Sequence, residues 1–218
     1  MVETRNSNIE SNSGKIELKS GMLPLMEDFY TIQGEGFFQG HAAYFIRLAG
    51  CDVGCVWCDV KESWDATAHP VTSIDEIVKR AKASGSGIAV VTGGEPAMYN
   101  LEKLTSALHK EGLRTHIETS GAYPLTGSWD WVCFSPKKFK KPDSSILSLA
   151  DELKVIIYTK SDFQWAEEFA NNVKPSCKLF LQPEWSKEKE MLPLIVDYVK
   201  AHPQWCISLQ VHKYMNIP

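Results

Sequence analysis

From residue 42 onward, short apolar runs alternate with stretches whose apolar residues recur at helical spacing, and this alternation constrains the fold more than any other feature. Strands are predicted over residues 43–48, 88–91, 115–118, 131–134, 153–158, 178–182 and 206–211. Between them, Ser73 and Glu76 frame a capping box that opens a helix with Ile74, Ile77, Val78 and Ala81 on one face. Asn100 caps a helix carrying Leu101, Leu104 and Leu108, which stops at Gly112. Ser161 and Gln164 frame a second box, opening a helix to about Asn172. A last helix is expected over roughly 188–201, with Pro193 tolerable only near its first turn. Strands separated by helices imply parallel crossovers. Seven strands in roughly 175 residues fall short of the about 250 that a closed eight-fold barrel takes. The expected fold is therefore α/β, an incomplete TIM-type barrel with outer helices, and a doubly wound sheet is the alternative.

The polar and glycine-rich residues gather just after the strands. Cys51, Cys55 and Cys58 follow the first, Thr92 to Pro96 the second, and Glu118 to Gly121 the third. Ser135, Pro136 and Lys137 follow the fourth, Gln182 to Glu184 the sixth, and His212 the last. In parallel α/β folds that rim carries the chemistry.

Composition narrows the class. The 218 residues are 44% hydrophobic and 23% charged, ordinary for a globular chain, and the net charge of −4 does not suit bulk polyanion binding. Residues 1–20 read as a flexible leader without a signal peptide's apolar stretch, and residues 21–218 as one domain. No apolar run approaches the about 20 residues of a membrane span. Cys133, Cys177 and Cys206, each in an apolar run, read as small core residues, and the compartment as reducing cytoplasm. The run from Lys137 to Lys141 reads as a solvated surface, with no direct nucleic-acid contact expected.

Three thiolates on one tight loop select zinc or an iron–sulfur cluster. A cubane held by three thiolates leaves one iron open to a ligand. The zinc alternative would recruit His41 or His69 as a fourth ligand.

The spacing Cys-x3-Cys-x2-Cys after the first strand of a partial barrel resembles the signature of radical S-adenosylmethionine (SAM) enzymes. That resemblance implies a 4Fe-4S cluster on Cys51, Cys55 and Cys58, SAM chelated to the open iron, and release of a 5′-deoxyadenosyl radical that abstracts hydrogen from a substrate. Gly93, Gly94, Glu95 and Pro96 fit the segment that holds SAM's amino group. Further motifs narrow the resemblance: Thr31 to Gly36 before the first strand, Arg47 late in it, the loop from Gly50 to Asp59, Ser135 to Lys137, and the ending from Gln210 to Pro218. Together, from about Leu23 to Pro218, they resemble the 7-carboxy-7-deazaguanine synthase family of the queuosine pathway.

That family contracts the ring of 6-carboxy-5,6,7,8-tetrahydropterin with loss of ammonia. By resemblance, Ile32, Gln33, Gly34, Glu35, Thr92, His212 and Pro218, with its terminal carboxylate, hold the substrate, and Arg47 pairs with the substrate carboxylate. Trp57, Cys58, Asp59, Gly94, Ser135, Pro136 and Lys137 hold SAM, with Gln182 a further candidate. The resemblance also implies a reductant such as flavodoxin, a homodimer, and Mg2+ beside the substrate. One departure concerns the metal. The family usually has Thr or Ser after Cys58 and Asp59, whereas this chain has Val60, which offers no oxygen to a hard cation. Either Mg2+ is held by substrate, water or a nearby carboxylate, or the site is metal-free, or the substrate has diverged. Competing functions are a radical SAM activase that installs a glycyl radical on a partner protein and a non-enzymatic zinc or electron-transfer module.

Overall fold

The computed structural model describes residues 18–218. The leader expected over residues 1–20 lies outside the described residues except for its last three, of which Leu18 packs against the core.

Nine strands form one open sheet in the order β3-β1-β2-β4-β5-β6-β7-β8-β9. They are β1 (Met22–Ile32), β2 (Ala42–Leu48), β3 (Val71–Ser73), β4 (Ile88–Gly93), β5 (Arg114–Thr119), β6 (Trp131–Phe134), β7 (Glu152–Ile157), β8 (Lys178–Pro183) and β9 (Trp205–Ile207). β2 and β4 to β9 are mutually parallel and correspond to the seven predicted strands. The sheet does not close on itself, which makes it a partial barrel. Four helices pack across it: α1 (Ile74–Ala83), α2 (Glu102–Lys110), α4 (Asp162–Ala170) and α5 (Glu188–Ala201), with short α3 (Ile146–Leu149) and α6 (Val211–Met215) between and after. No helix among the described residues is long and apolar enough to cross a membrane.

Strand alternation assigns the two faces. Ile46, Leu48, Val91, Ile117, Phe134, Leu153, Val155, Ile157 and Leu181 join the helices' apolar residues in the core. α1 contributes Ile74, Ile77, Val78 and Ala81, and α2 Leu104 and Leu108, the faces read from periodicity. The residues between them in the strands, Arg47, Thr92, Glu118, Lys154 and Gln182, face the barrel interior and line its cavity.

Several expectations are corrected. β1 and β3 are additional, antiparallel strands. β1 escapes a period-2 reading because its register against β2 shifts between Leu25 and Glu27, which breaks the alternation. The last strand ends at Ile207 rather than residue 211, and His212 sits on α6. Pro193 lies inside α5, beyond the first turn. Ser73 Oγ accepts from Glu76 N–H at 3.2 Å, but the Glu76 carboxylate turns to Arg80 instead of closing the box. Ser161 makes no capping bond; Asp162 beside it accepts from the N–H groups of Tyr158 and Thr159 at 2.8 and 2.6 Å. Ser161 itself is in the right-handed helical region, at φ −67° and ψ −14°, not in the extended conformation from which a cap side chain reaches the first turn. Cys133 and Cys177 are buried, but Cys206 is exposed. The lysine run is not simply solvated: Lys137 lines the cavity, Lys138 pairs with Asp162, and Lys140 pairs with Asp52 at 2.5 Å.

The loop between β1 and β2 closes the lower end of the barrel. Phe37 stacks on Trp131 at 4.9 Å, and Phe38 packs against His116 at 4.5 Å. Phe37 N–H and Trp131 Nε1–H both donate to Glu152, at 3.2 and 3.0 Å. Gly36, at φ +65°, passes so close to Glu152 that a Cβ there would stand 1.9 Å from Oε1. This packing fixes where the chain from Ile32 to Glu35 enters the barrel.

Candidate active site

One cavity of about 620 Å³ opens at the C-terminal ends of the parallel strands, a size suited to a small-molecule site. The sequence-predicted residues come together on its wall with one exception. Pro136 is buried behind Ser135 and Lys137 and does not line it.

The cysteine loop forms one side. Gly50 N–H donates to Ser63 C=O at 2.6 Å, Cys51 N–H to Trp64 C=O at 3.2 Å, and Cys58 N–H to Cys55 C=O at 3.1 Å. Within the loop, Asp52 is gripped by Tyr123 and Lys140 from other parts of the chain. All three cysteines line the cavity. Burial pushes the Cys51 thiol up and the Cys55 thiol to about 11, so each gives up a proton on binding a metal.

The glycine pair docks onto this loop. Gly94 N–H donates to Leu48 C=O at 2.9 Å, and Glu95 N–H to Gly50 C=O at 2.8 Å. A Cβ on Gly93 would lie 2.0 Å from Leu48 O; one on Gly94 would lie 2.2 Å from Gly50 O and 2.9 Å from Cys51 Cβ. Glu95 lies on the cavity wall, but its carboxylate is committed to neighbouring protein groups. Its buried carboxylate accepts from Thr119 Oγ1 at 2.5 Å, Ser120 N–H at 2.8 Å, Ser120 Oγ and Ala97 N–H at 3.0 Å, tying the ends of β4 and β5 together.

Ser135 and Lys137 extend the wall, joined by a Lys137 Nζ to Ser135 Oγ bond of 2.6 Å. Burial lowers the Lys137 pKa. Its ammonium lies 5.7 Å from the centre of the Trp57 ring. Gln182 is buried, and its Oε1 accepts from Ser208 Oγ at 2.6 Å.

The floor carries a group that sequence reasoning missed. Lys154, 2% exposed, donates to Glu118 at 2.7 Å and to Glu35. Gln33 Nε2 donates to the other Glu118 oxygen at 2.9 Å, and Gln210 Nε2 to the other Glu35 oxygen at 2.8 Å. Two carboxylates sharing one ammonium leave the floor one negative charge, with both acids already oriented. A lone lysine within the apolar run 153–158 was the available signal, since an unpaired charge is not tolerated in a buried strand. Arg47 stands across from it. Glu27, its cross-strand partner on β1, takes Nε at 2.7 Å, and Arg47 also lines the cavity, so the salt bridge and the cavity position coexist. His212 packs over Gly34, where a Cβ would lie 2.2 Å from Nδ1; burial lowers its pKa. Thr31 Oγ1 donates to Pro218 O at 3.3 Å, which seats the final residue on the cavity rim.

The donor set fits a cluster better than a lone ion. Among the described residues no three His, Cys, Asp or Glu side chains are gathered closely enough to grip one metal ion. A single zinc would need its thiolates on one atom at about 2.3 Å. A cubane spreads them over separate irons. His41 bonds Phe38 C=O and His69 bonds Glu62 C=O, and neither lines the cavity. Magnesium fits poorly: Val60 presents only hydrocarbon, and the Asp59 carboxylate beside it is paired with Lys213 at 3.1 Å.

Comparison with known proteins agrees. Residues 45–174 match the Radical SAM superfamily. The 7-carboxy-7-deazaguanine synthase of Flavobacterium psychrophilum is 60% identical over 92% of this chain and 95% of that protein. The synthase of the same description from Synechocystis sp. is 48% identical over 92% and 96%. The crystal structure of QueE from Escherichia coli superposes with a TM-score of 0.78 at 30% identity, covering 86% of this chain and 93% of that one.

Proposed function

Since the chain belongs to the radical SAM superfamily and, within it, to the 7-carboxy-7-deazaguanine synthases, we infer that it converts 6-carboxy-5,6,7,8-tetrahydropterin to 7-carboxy-7-deazaguanine with loss of ammonia, a lyase step of queuosine biosynthesis. The observation that carries this reading is the single cavity in which the cysteine loop, the glycine pair and the segment from Ile32 to Glu35 meet.

Cys51, Cys55 and Cys58 would hold the 4Fe-4S cluster. Trp57, Asp59, Gly94, Ser135 and Lys137, with Gln182, would hold SAM, and Pro136 would fix the turn between two of them. When bound, cluster and SAM supply the one-electron chemistry that starts hydrogen abstraction. The chain's own part is to bind and orient. Glu35 and Glu118 can accept N–H groups from an aminopyrimidine edge, and Lys154 holds both carboxylates in place. Arg47, with Nε committed to Glu27, has its remaining guanidinium N–H groups for a substrate carboxylate. Thr92, Gln33 and His212 complete the pocket between these charged ends. Family membership also supports a one-electron donor such as flavodoxin, a homodimer and a cytoplasmic setting. The glycyl-radical activase has no specific observation in its favour, because it does not call for the Ile32–Glu35 floor or Arg47.

The test is anaerobic reconstitution followed by incubation with the pterin, SAM and a reductant. A brown protein with iron bound that releases 7-carboxy-7-deazaguanine and ammonia is the expected result. An iron-loaded protein that cleaves SAM but leaves the pterin unchanged would refute the substrate assignment.

A further inference from the structure

We propose that this chain binds and turns over its substrate without magnesium, and that the ammonium of Lys213 supplies the positive charge on the cavity wall beside Asp59 and Val60. The proposal rests on the pterin reading above and concerns only how the charge of the bound substrate is met.

Two independent features point to it. The first is the donor chemistry around Val60. A hard divalent cation of this size takes six oxygens and sheds water reluctantly. Val60 contributes no oxygen. The carboxylates that line the cavity are otherwise engaged: Glu35 and Glu118 by Lys154, Glu95 by Thr119 and Ser120, Glu184 by Ser186 Oγ, and Asp59 by Lys213. Among the described residues no three acidic, His or Cys side chains form a metal-sized cluster.

The second feature is the cation already there. Lys213 reaches back from α6 to the residue preceding Val60, and its Nζ lies 3.1 Å from Asp59 Oδ2 and 3.0 Å from Gln210 Oε1. It also stands 4.9 Å from the centre of the Trp185 ring. Through Gln210 it joins a continuous polar chain to Glu35, Lys154, Glu118 and Gln33, so it is braced on the same framework that forms the floor. Lys213 lines the cavity with 21% of its side chain exposed. An ammonium is a compact point charge with three donors, able to keep Asp59 and still donate to a substrate oxygen.

The experiment uses full-length protein, stripped of divalent ions with a chelator, and the oxidised, non-reacting analogue 6-carboxypterin. Analogue affinity is read from pterin fluorescence with and without magnesium. Manganese, as a paramagnetic substitute, is titrated by electron paramagnetic resonance in the presence of the analogue. Wild type should bind the analogue equally well in both conditions and show no bound manganese. Val60→Thr should gain bound manganese and a magnesium-dependent affinity. Lys213→Met should weaken analogue binding roughly tenfold or more, as expected for a lost charged hydrogen bond, and Lys213→Arg should restore most of it. Circular dichroism checks that each variant is folded. Bound manganese in wild type, or a tenfold loss of affinity on chelation that magnesium reverses, would overturn the proposal. So would a Val60→Thr protein with no more bound manganese than wild type, or a folded Lys213→Met protein with unchanged affinity. Failure of wild type to bind the analogue or consume the pterin under any condition would instead overturn the functional reading, and the proposal with it.

Discussion

At the scale of single residues, Lys154 concentrates the most consequence. It stands mid-strand, 2% exposed, between two carboxylates. Removing one partner of a buried ion pair leaves the others uncompensated, so Lys154→Met should cost about 3–5 kcal/mol near neutral pH. The pH dependence follows from Glu35. Burial raises its pKa, but the Lys154 charge and the hydrogen bonds from Lys154 and Gln210 outweigh burial and hold it at about 2, against an ordinary 4.5. A depressed folded-state pKa contributes stability that is complete above about 4.5 and is lost as pH falls towards about 2. The gap between wild type and Lys154→Met should therefore narrow across that window. Denaturant unfolding at stepped pH measures it; a gap of constant size down to pH about 3 would assign the loss to packing rather than charge.

At the scale of elements, the end of β4 decides whether the cysteine loop keeps its shape. Its glycines lie against backbone, which cannot yield as a flexible side chain would. Gly94→Ala should push Gly50 and Cys51 aside, and iron content after reconstitution should fall well below wild type. Gly87→Ala, just before the same strand, is the contrast: nothing lies within 4 Å of the added Cβ and its φ is ordinary. That variant should keep its iron and be neutral or stabilised by about 0.4–1 kcal/mol through the unfolded chain. Equal iron content in the two proteins would show that the close approach at Gly94 is not needed for the loop. The same scale explains which helix starts were legible. Ser73 stands in extended backbone at φ −71° and ψ 144° and caps Glu76 N–H, whereas Ser161 is already helical at φ −67° and ψ −14° and caps nothing.

At the scale of the whole molecule, core and chemistry lie on opposite faces of one sheet. The apolar cluster packs between strands and helices, while the cysteines line the interior cavity. Replacing Cys51, Cys55 or Cys58 with Ala should therefore abolish iron binding and reduce turnover to background while leaving the fold intact, with stability within about 1 kcal/mol of the iron-free wild type. Iron analysis paired with thermal melting checks both halves. Cooperative unfolding lost along with the iron would mean that the cluster loop holds the sheet together.

The seven parallel strands, most helix faces and the order of the cysteine, glycine and Ser135–Lys137 segments were determined by the sequence itself, because side-chain periodicity and turn chemistry act over a few neighbouring residues. The tertiary structure alone decided which polar side chains share a floor. Lys154 meets Glu118 across 36 positions, and Gln210 meets Glu35 across 175. Alternation along a strand tells which face a residue takes, but its neighbour there depends on strand order and register. For the same reason β1 went unread: its bulge and its antiparallel place beside β2 follow from pairing with another segment. His212 reached the cavity from a helix rather than a strand end because the chain leaves the sheet after Ile207, and Val211 N–H bonds Gly34 C=O at 3.0 Å, a contact set by the far end of the fold.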